Sequence, residues 1–123
     1  SYPPIFNPIV DDYYNGMVVT VPFHIRAMPK KTSAQAVWEM FAEHYEGEHF
    51  VKVMPFMGEG VLQDGFLAAN TMKDTNYMQI FVFGNDDHIL LCSRFDNLGK
   101  GASGAAMQCM NIMMGIDEST GLE

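Results

Sequence analysis

The residues best placed to do chemistry lie in Gly99-Lys100-Gly101-Ala102-Ser103-Gly104, which spells G-x-G-x-x-G. In dinucleotide-binding proteins this spelling gives a tight turn, a close approach to a pyrophosphate, and a helix whose first N–H groups face the anion. The pattern needs a strand before it, a helix behind it, and then a second parallel strand with an acidic residue about 20 positions on. A strand is expected over residues 87–95, and a helix without charge runs from Gly101 to Gly115. After it, Ile116 to Glu123 are too few and too polar for the second strand, so Asp117 and Glu118 have no strand to sit on. The spelling therefore does not open a nucleotide fold, and no Gly-Lys-Ser/Thr follows to make a phosphate loop. Two readings of the turn stay open. Gly99 and Lys100 hold an anion or a polar cofactor edge at the helix N-terminus, or the turn simply precedes a closely packed helix.

Other reactive side chains are few. Cys92 and Cys109 both fall in apolar periodic stretches, which favours buried free thiols over a disulfide. They make no C-x-x-C, so a structural zinc site has no support. Of the four histidines, His24 falls in a strand, His44 and His49 straddle a helix end, and His88 opens another strand. No two share one element at zinc-type spacing, and surface or structural roles are expected for all four. No catalytic residue and no metal ligand is assigned.

Fifteen acidic against seven basic residues give a formal charge of −8. Nucleic-acid backbones and anionic membranes both need clustered Lys or Arg, and Lys30-Lys31 is the one basic pair. No apolar run approaches the roughly 18 residues of a membrane helix, and no basic-apolar leader opens the sequence. A soluble, cytoplasmic protein is expected. With 48% apolar residues and 11 Met, 123 residues suffice for one domain with a modest core.

The elements that must position these groups follow from pattern. Ser1 to Pro8 carries three prolines and reads as an extended lead-in, of a kind that suits a segment cut from something longer. Met17 to Ile25 is β-branched and aromatic, with Pro22 marking an edge or a bulge. Thr32-Ser33-Ala34-Gln35 predicts a capping box with Thr32 as cap. The helix behind it carries an apolar stripe of Ala34, Val37, Trp38, Phe41 and Tyr45 and closes at Gly47. Glu39, Glu43 and Glu46 face water. His49 to Pro55 reads as a strand, 57–65 as a glycine loop, and Phe66 to Met72 as either a strand or a connector. Asn76–Phe83 and His88–Phe95 flank Gly84-Asn85-Asp86-Asp87 as a hairpin. Runs of strands with few helices favour an α+β fold with helices mainly on one face.

Asp96 to Asn111 reads Asp-Asn-Leu-Gly-Lys-Gly-Ala-Ser-Gly-Ala-Ala-Met-Gln-Cys-Met-Asn. It resembles the C-terminal signature of the N-acetyl-γ-glutamyl-phosphate reductases, arginine-pathway enzymes that use NADPH to reduce an acyl phosphate to a semialdehyde. Further likeness lies in Phe6-x-Pro8, Gly16-Met17-Val18-Val19, Tyr45-x-Gly47-x-x-Phe50-Val51 and Val82-Phe83-Gly84-Asn85-Asp86.

The resemblance implies a mixed, mainly antiparallel sheet with helices on one face, as in the C-terminal domain of glyceraldehyde-3-phosphate-dehydrogenase-like enzymes. It divides the chain into a dimerisation and substrate domain at 1–95 and a glycine turn with return helix at 96–123. That helix would pack on a nucleotide-binding domain outside this chain. The implied cofactor is NADP, the substrate an acyl phosphate, and the assembly a homo-oligomer. The family's cysteine nucleophile, in a Pro-Gly-Cys-Tyr-type motif, and its histidine base have no counterpart here, so the chain alone is expected to be inactive. Asn97 matches an amide that lies near the nicotinamide in related dehydrogenases; it caps the helix or braces the turn otherwise. Many members carry Pro-His and Arg-Gly where this chain has Pro8-Ile9 and Asn15-Gly16, so substrate contacts at those positions do not transfer. Without its partner domain, part of the helix face bearing Ala102, Ala106, Met110 and Met113 should lack its normal cover, and it is expected to be buried in an oligomer, packed differently or poorly ordered. A stand-alone interaction or small-ligand module of the same fold is the competing reading.

Overall fold

The structure is a computed structural model and describes residues 3–123, so Ser1 and Tyr2 of the expected lead-in lie outside the described residues. Four strands form one sheet: β1 (Met17–His24), β2 (Val51–Val53), β3 (Met78–Gly84) and β4 (His88–Phe95), in the order β1-β4-β3-β2. β1 and β3 flank β4 antiparallel, and β2 runs parallel to β3. The sheet is therefore mixed and mainly antiparallel, and β1 is an edge strand. The edge place accommodates Pro22, which lacks an N–H.

Alternation fixes the two faces. Ile89 and Leu91 of β4, Ile80 and Val82 of β3, and Phe23 of β1 share one face. Helix α1 (Ala34–His44) covers it, burying Ala34 and Val37 against Val82 and Ile89 with Trp38 and Phe41 alongside. The Trp38 indole N–H donates to the Met54 carbonyl at 2.8 Å, tying α1 to the end of β2. The glycine turn after β4 also lies here, because Gly101 rests on the Phe95 ring. Helix α1 and the glycine turn thus share a face. On the other face Phe81, Cys92 and Arg94 lie under the long loop between β2 and β3.

Several elements differ from their sequence pattern. Ser33, not Thr32, is the N-cap of α1: its Oγ accepts from the Ala36 N–H at 3.1 Å. Beginning the helix at Ala34 turns Ala34 and Val37 to the core, and Gln35 bonds Glu39 instead of returning to the cap. The strand expected over His49–Pro55 contracts to Val51–Val53, since the chain turns at Pro55 into a short helical turn at Phe56–Gly58. Residues 66–72 form no strand; apart from one bridge between Gln63 and Phe66 around Asp64-Gly65, this stretch is turns. Cys92 is buried as expected, but Cys109 is exposed, because it lies on the outer side of the last helix.

That last element is a π turn (Gly99–Ser103) running into helix α2 (Gly104–Met114). Gly115, at φ +70, closes it. The tail then folds back: the Asn111 amide donates to the carbonyls of Glu118 and Thr120. This covers one side of α2 and leaves Ala102, Ala106, Met110 and Met113 exposed on the other.

Candidate functional site

The polar centre of the molecule is Asp96, the residue after β4, which is 1% exposed. Its Oδ1 accepts from the Leu98 and Gly99 N–H groups at 2.7 and 2.9 Å, capping the start of the glycine turn. Its Oδ2 accepts from the Asn15 amide at 2.8 Å and from the Asp74 N–H. Asn15, also buried, donates to the Asp74 carboxylate at 2.9 Å. One carboxylate therefore joins three segments: the start of β1, the end of the long loop, and the glycine turn. Burial alone would raise its pKa. The hydrogen bonds from Gly99, Asp74, Leu98 and Asn15 outweigh that and hold the group below the usual carboxylate range.

Asn97 strengthens the same junction. Its Oδ1 accepts from the Gly16 N–H at 2.8 Å, leaving Nδ2 without a partner among the described residues. Gly16 must be glycine: its φ is +125, and a Cβ would stand 2.7 Å from the Ala69 carbonyl oxygen. Asn97 thus braces the start of β1 while both N–H donors of its half-buried amide stay without a partner among the described residues.

The glycines of G-x-G-x-x-G serve close packing. A Cβ on Gly99 would lie 2.8 Å from the Thr75 carbonyl oxygen, and one on Gly104 would lie 2.2 Å from Asn76 Oδ1. The N–H groups of Leu98 and Gly99, which an anion would need, already belong to Asp96. Lys100 turns inward, donating to Gln108 Oε1 with its Nζ 5.4 Å from the Phe50 ring centre. Burial lowers its pKa, against the opposing pull of Glu118 and Cys109. Asn76 is buried with neither side-chain atom hydrogen-bonded among the described residues.

The remaining sequence candidates do not converge. The Cys92 thiol is pushed up by burial, which disfavours the thiolate a nucleophile needs. His49 pairs with Glu123, and His44 stands edge-on to Tyr45. His24 and His88 do meet, on neighbouring strands. The roles of Asn15, Asp74 and Asp96 were hidden in the sequence. Their pairing spans up to 81 positions, and no periodic signal marks it.

A family model described as semialdehyde dehydrogenase, dimerisation domain, matches residues 1–97. N-acetyl-gamma-glutamyl-phosphate reductase 2 of Nostoc sp. is 46% identical over 123 residues, covering 98% of this chain and 38% of the relative. The N-acetyl-gamma-glutamyl-phosphate reductase of Trichormus variabilis is 45% identical with the same coverage. That of Brucella ovis is 40% identical over 114 residues, 91% of this chain and 36% of the relative. The chain thus spans little more than a third of the length of these relatives. With four-fifths of its residues inside the matched region, the chain belongs to the semialdehyde dehydrogenase dimerisation-domain family.

Proposed function

We propose that this chain is the C-terminal domain of an NADPH-dependent N-acetyl-γ-glutamyl-phosphate reductase in cytoplasmic arginine biosynthesis. The observation that carries the reading is the 46% identity to a reductase of that name over 98% of the chain. In that enzyme class a cysteine thiolate attacks the acyl phosphate and a thioester is reduced. Neither thiol of this chain suits the first step: Cys92 is buried, and Cys109 sits on the tail helix away from any motif of the nucleophile.

What the chain offers is a frame with residues 1–95 as the subunit and substrate domain and 96–123 as the return element. NADPH, when bound, supplies the hydride. Its nucleotide portion finds no cradle among the described residues, since the N–H groups that open the glycine turn are capped by Asp96. The fit is confined to one edge: the free Asn97 Nδ2 suits a carboxamide or carbonyl oxygen, while Gly99 and Lys100 shape and brace the turn beside it. The open half of the sheet, where Met17, Val19 and Val21 are exposed, suits a second copy. The uncovered face of α2 suits the nucleotide-binding half.

The test is reconstitution. The isolated chain with NADPH and N-acetyl-γ-glutamyl phosphate should give no turnover. Fused behind the preceding portion of the Nostoc relative, it should restore turnover, and Asn97→Ala should lower it by roughly 10- to 100-fold, the loss of about one to two good hydrogen bonds in the transition state. Cysteine-dependent turnover by the isolated chain would overturn the reading. Failure of every fused, folded protein to turn over would favour a stand-alone binding module.

A further inference from the structure

The fold brings together two metal-ligating side chains that lie 64 positions apart. His24 ends β1 and His88 begins β4, directly opposite each other in the antiparallel ladder. The next pair, Ile25 and Asp87, carries the hydrogen bond from the Ile25 N–H to the Asp87 carbonyl at 3.0 Å. Hydrogen-bonded and non-hydrogen-bonded pairs alternate, so His24 and His88 occupy the closer kind, with Cα atoms about 4.5 Å apart. Their ring centres lie 4.6 Å apart with a 60° tilt. Both are exposed, and they share the rim of a shallow groove with Asn85. As directly opposed residues of one antiparallel pair, the two exposed side chains project from the same face of the sheet.

We propose that His24 and His88 form a two-imidazole chelate for one divalent first-row transition cation. Among the described residues no third His, Cys, Asp or Glu joins them, so water completes the coordination sphere. Imidazole ligates through a neutral nitrogen, and two of them on adjacent rigid strands lose little freedom when a cation bridges them. β4 is the one strand that holds β1 in the sheet. The bound cation therefore clips the edge strand to its neighbour at the end remote from Asp96.

Titration calorimetry with the chloride salts of Zn2+, Ni2+ and Cu2+ tests this on the whole chain. The expected result is one ion per chain, with Cu2+ bound more tightly than either Ni2+ or Zn2+. His24→Asn and His88→Asn should each weaken binding about tenfold or more, at least the loss that removing even an outer-shell partner of a ligand causes, while His49→Asn should leave it unchanged. Both strand positions are exposed, so the variants keep the fold; circular dichroism melts check this, and Ni2+ should raise the melting temperature of the wild type alone. Absence of saturable binding at millimolar metal overturns the proposal. So does one-to-one binding that survives in the His24→Asn/His88→Asn double variant.

Discussion

A single carboxylate holds this molecule's polar junction, and its hydrogen bonds make the stability of that junction depend on pH. Asp96 accepts four hydrogen bonds, three of them from backbone N–H groups. Because its folded pKa is depressed, its contribution is fully present above the ordinary carboxylate value of about 3.9. It is lost as pH falls through the lower, folded value. Asp96→Asn keeps the shape but cannot accept at both oxygens, leaving at least one buried N–H unpaired. The expected cost at pH 7 is about 2–4 kcal/mol, measured by urea denaturation. Repeating the melts below pH 4 should shrink the gap between wild type and variant; a constant gap would remove Asp96 from the acid response. None of this was legible at residue scale. Asp96-Asn97 stood out through its resemblance to a family signature, which pointed to the cofactor. The structure adds that the Asn97 Oδ1 already serves Gly16, a contact between residues 81 positions apart that no local pattern reveals.

At the scale of elements, the glycine turn is where spelling and geometry part. G-x-G-x-x-G usually signals backbone exposed to a phosphate, yet here it widens into a π turn pressed on its own domain. The Gly101 N–H reaches the Asp96 carbonyl and the Ser103 N–H reaches the Leu98 carbonyl, each five residues back. Gly104 then meets Asn76 and the Gly99 carbonyl group. In an open helix Gly→Ala gains up to about 1 kcal/mol. At position 104 the added Cβ has no room, so Gly104→Ala should instead cost about 1–3 kcal/mol. Asn76→Gly should return part of that loss, because the side-chain obstacle goes while the backbone one remains. A double-mutant cycle by thermal melting checks both signs, and a stabilised Gly104→Ala would refute the contact. The other elements were legible where periodicity was strong. The α1 stripe and the hairpin of β3 and β4 follow their patterns closely. The cap of α1 moved by one residue because Thr32 and Ser33 are both good caps and core packing of Ala34 decides between them. The loop over 56–75 was not legible. It is set by tethers to distant residues, among them the buried Arg94 guanidinium on the Ala68 carbonyl and Thr71 hydroxyl.

For the whole molecule, the feature to explain is how much apolar surface stays uncovered. Met17, Val19 and Val21 lie on the edge-strand side of the sheet face that α1 covers elsewhere. Met110, Ile112, Met113 and Met114 lie on α2, and Ile112 to Met114 are each more than half exposed. The first group falls inside the matched dimerisation region and the second beyond it. Exposed apolar area on this scale marks interaction surfaces. We expect sedimentation equilibrium to find a dimer or larger oligomer at micromolar concentration, and Val19→Glu to shift it to monomer with the fold retained. Met113→Glu should leave that oligomer intact. If Met113→Glu dissociates it and Val19→Glu does not, the two surfaces have been assigned the wrong way round. The expectation of no nucleic-acid or lipid partner rests on the acidic composition alone, whereas the division of the apolar surface needed the fold.

The junction at Asp96 also bears on the order in which the chain assembles. Its bonds to Asn15 and the bond from Gly16 to Asn97 each close a loop of 81 positions. The β3–β4 hairpin closes across Asn85, Asp86 and Asp87 and pairs locally. Loop-closure entropy places such long-range bonds after the local ones, on the native side of the folding barrier. The loss in Asp96→Asn should therefore appear as faster unfolding, with the refolding rate nearly unchanged. What holds the start of β1 to the glycine turn is then chiefly a kinetic lock, setting how long the two uncovered apolar faces stay in register once formed.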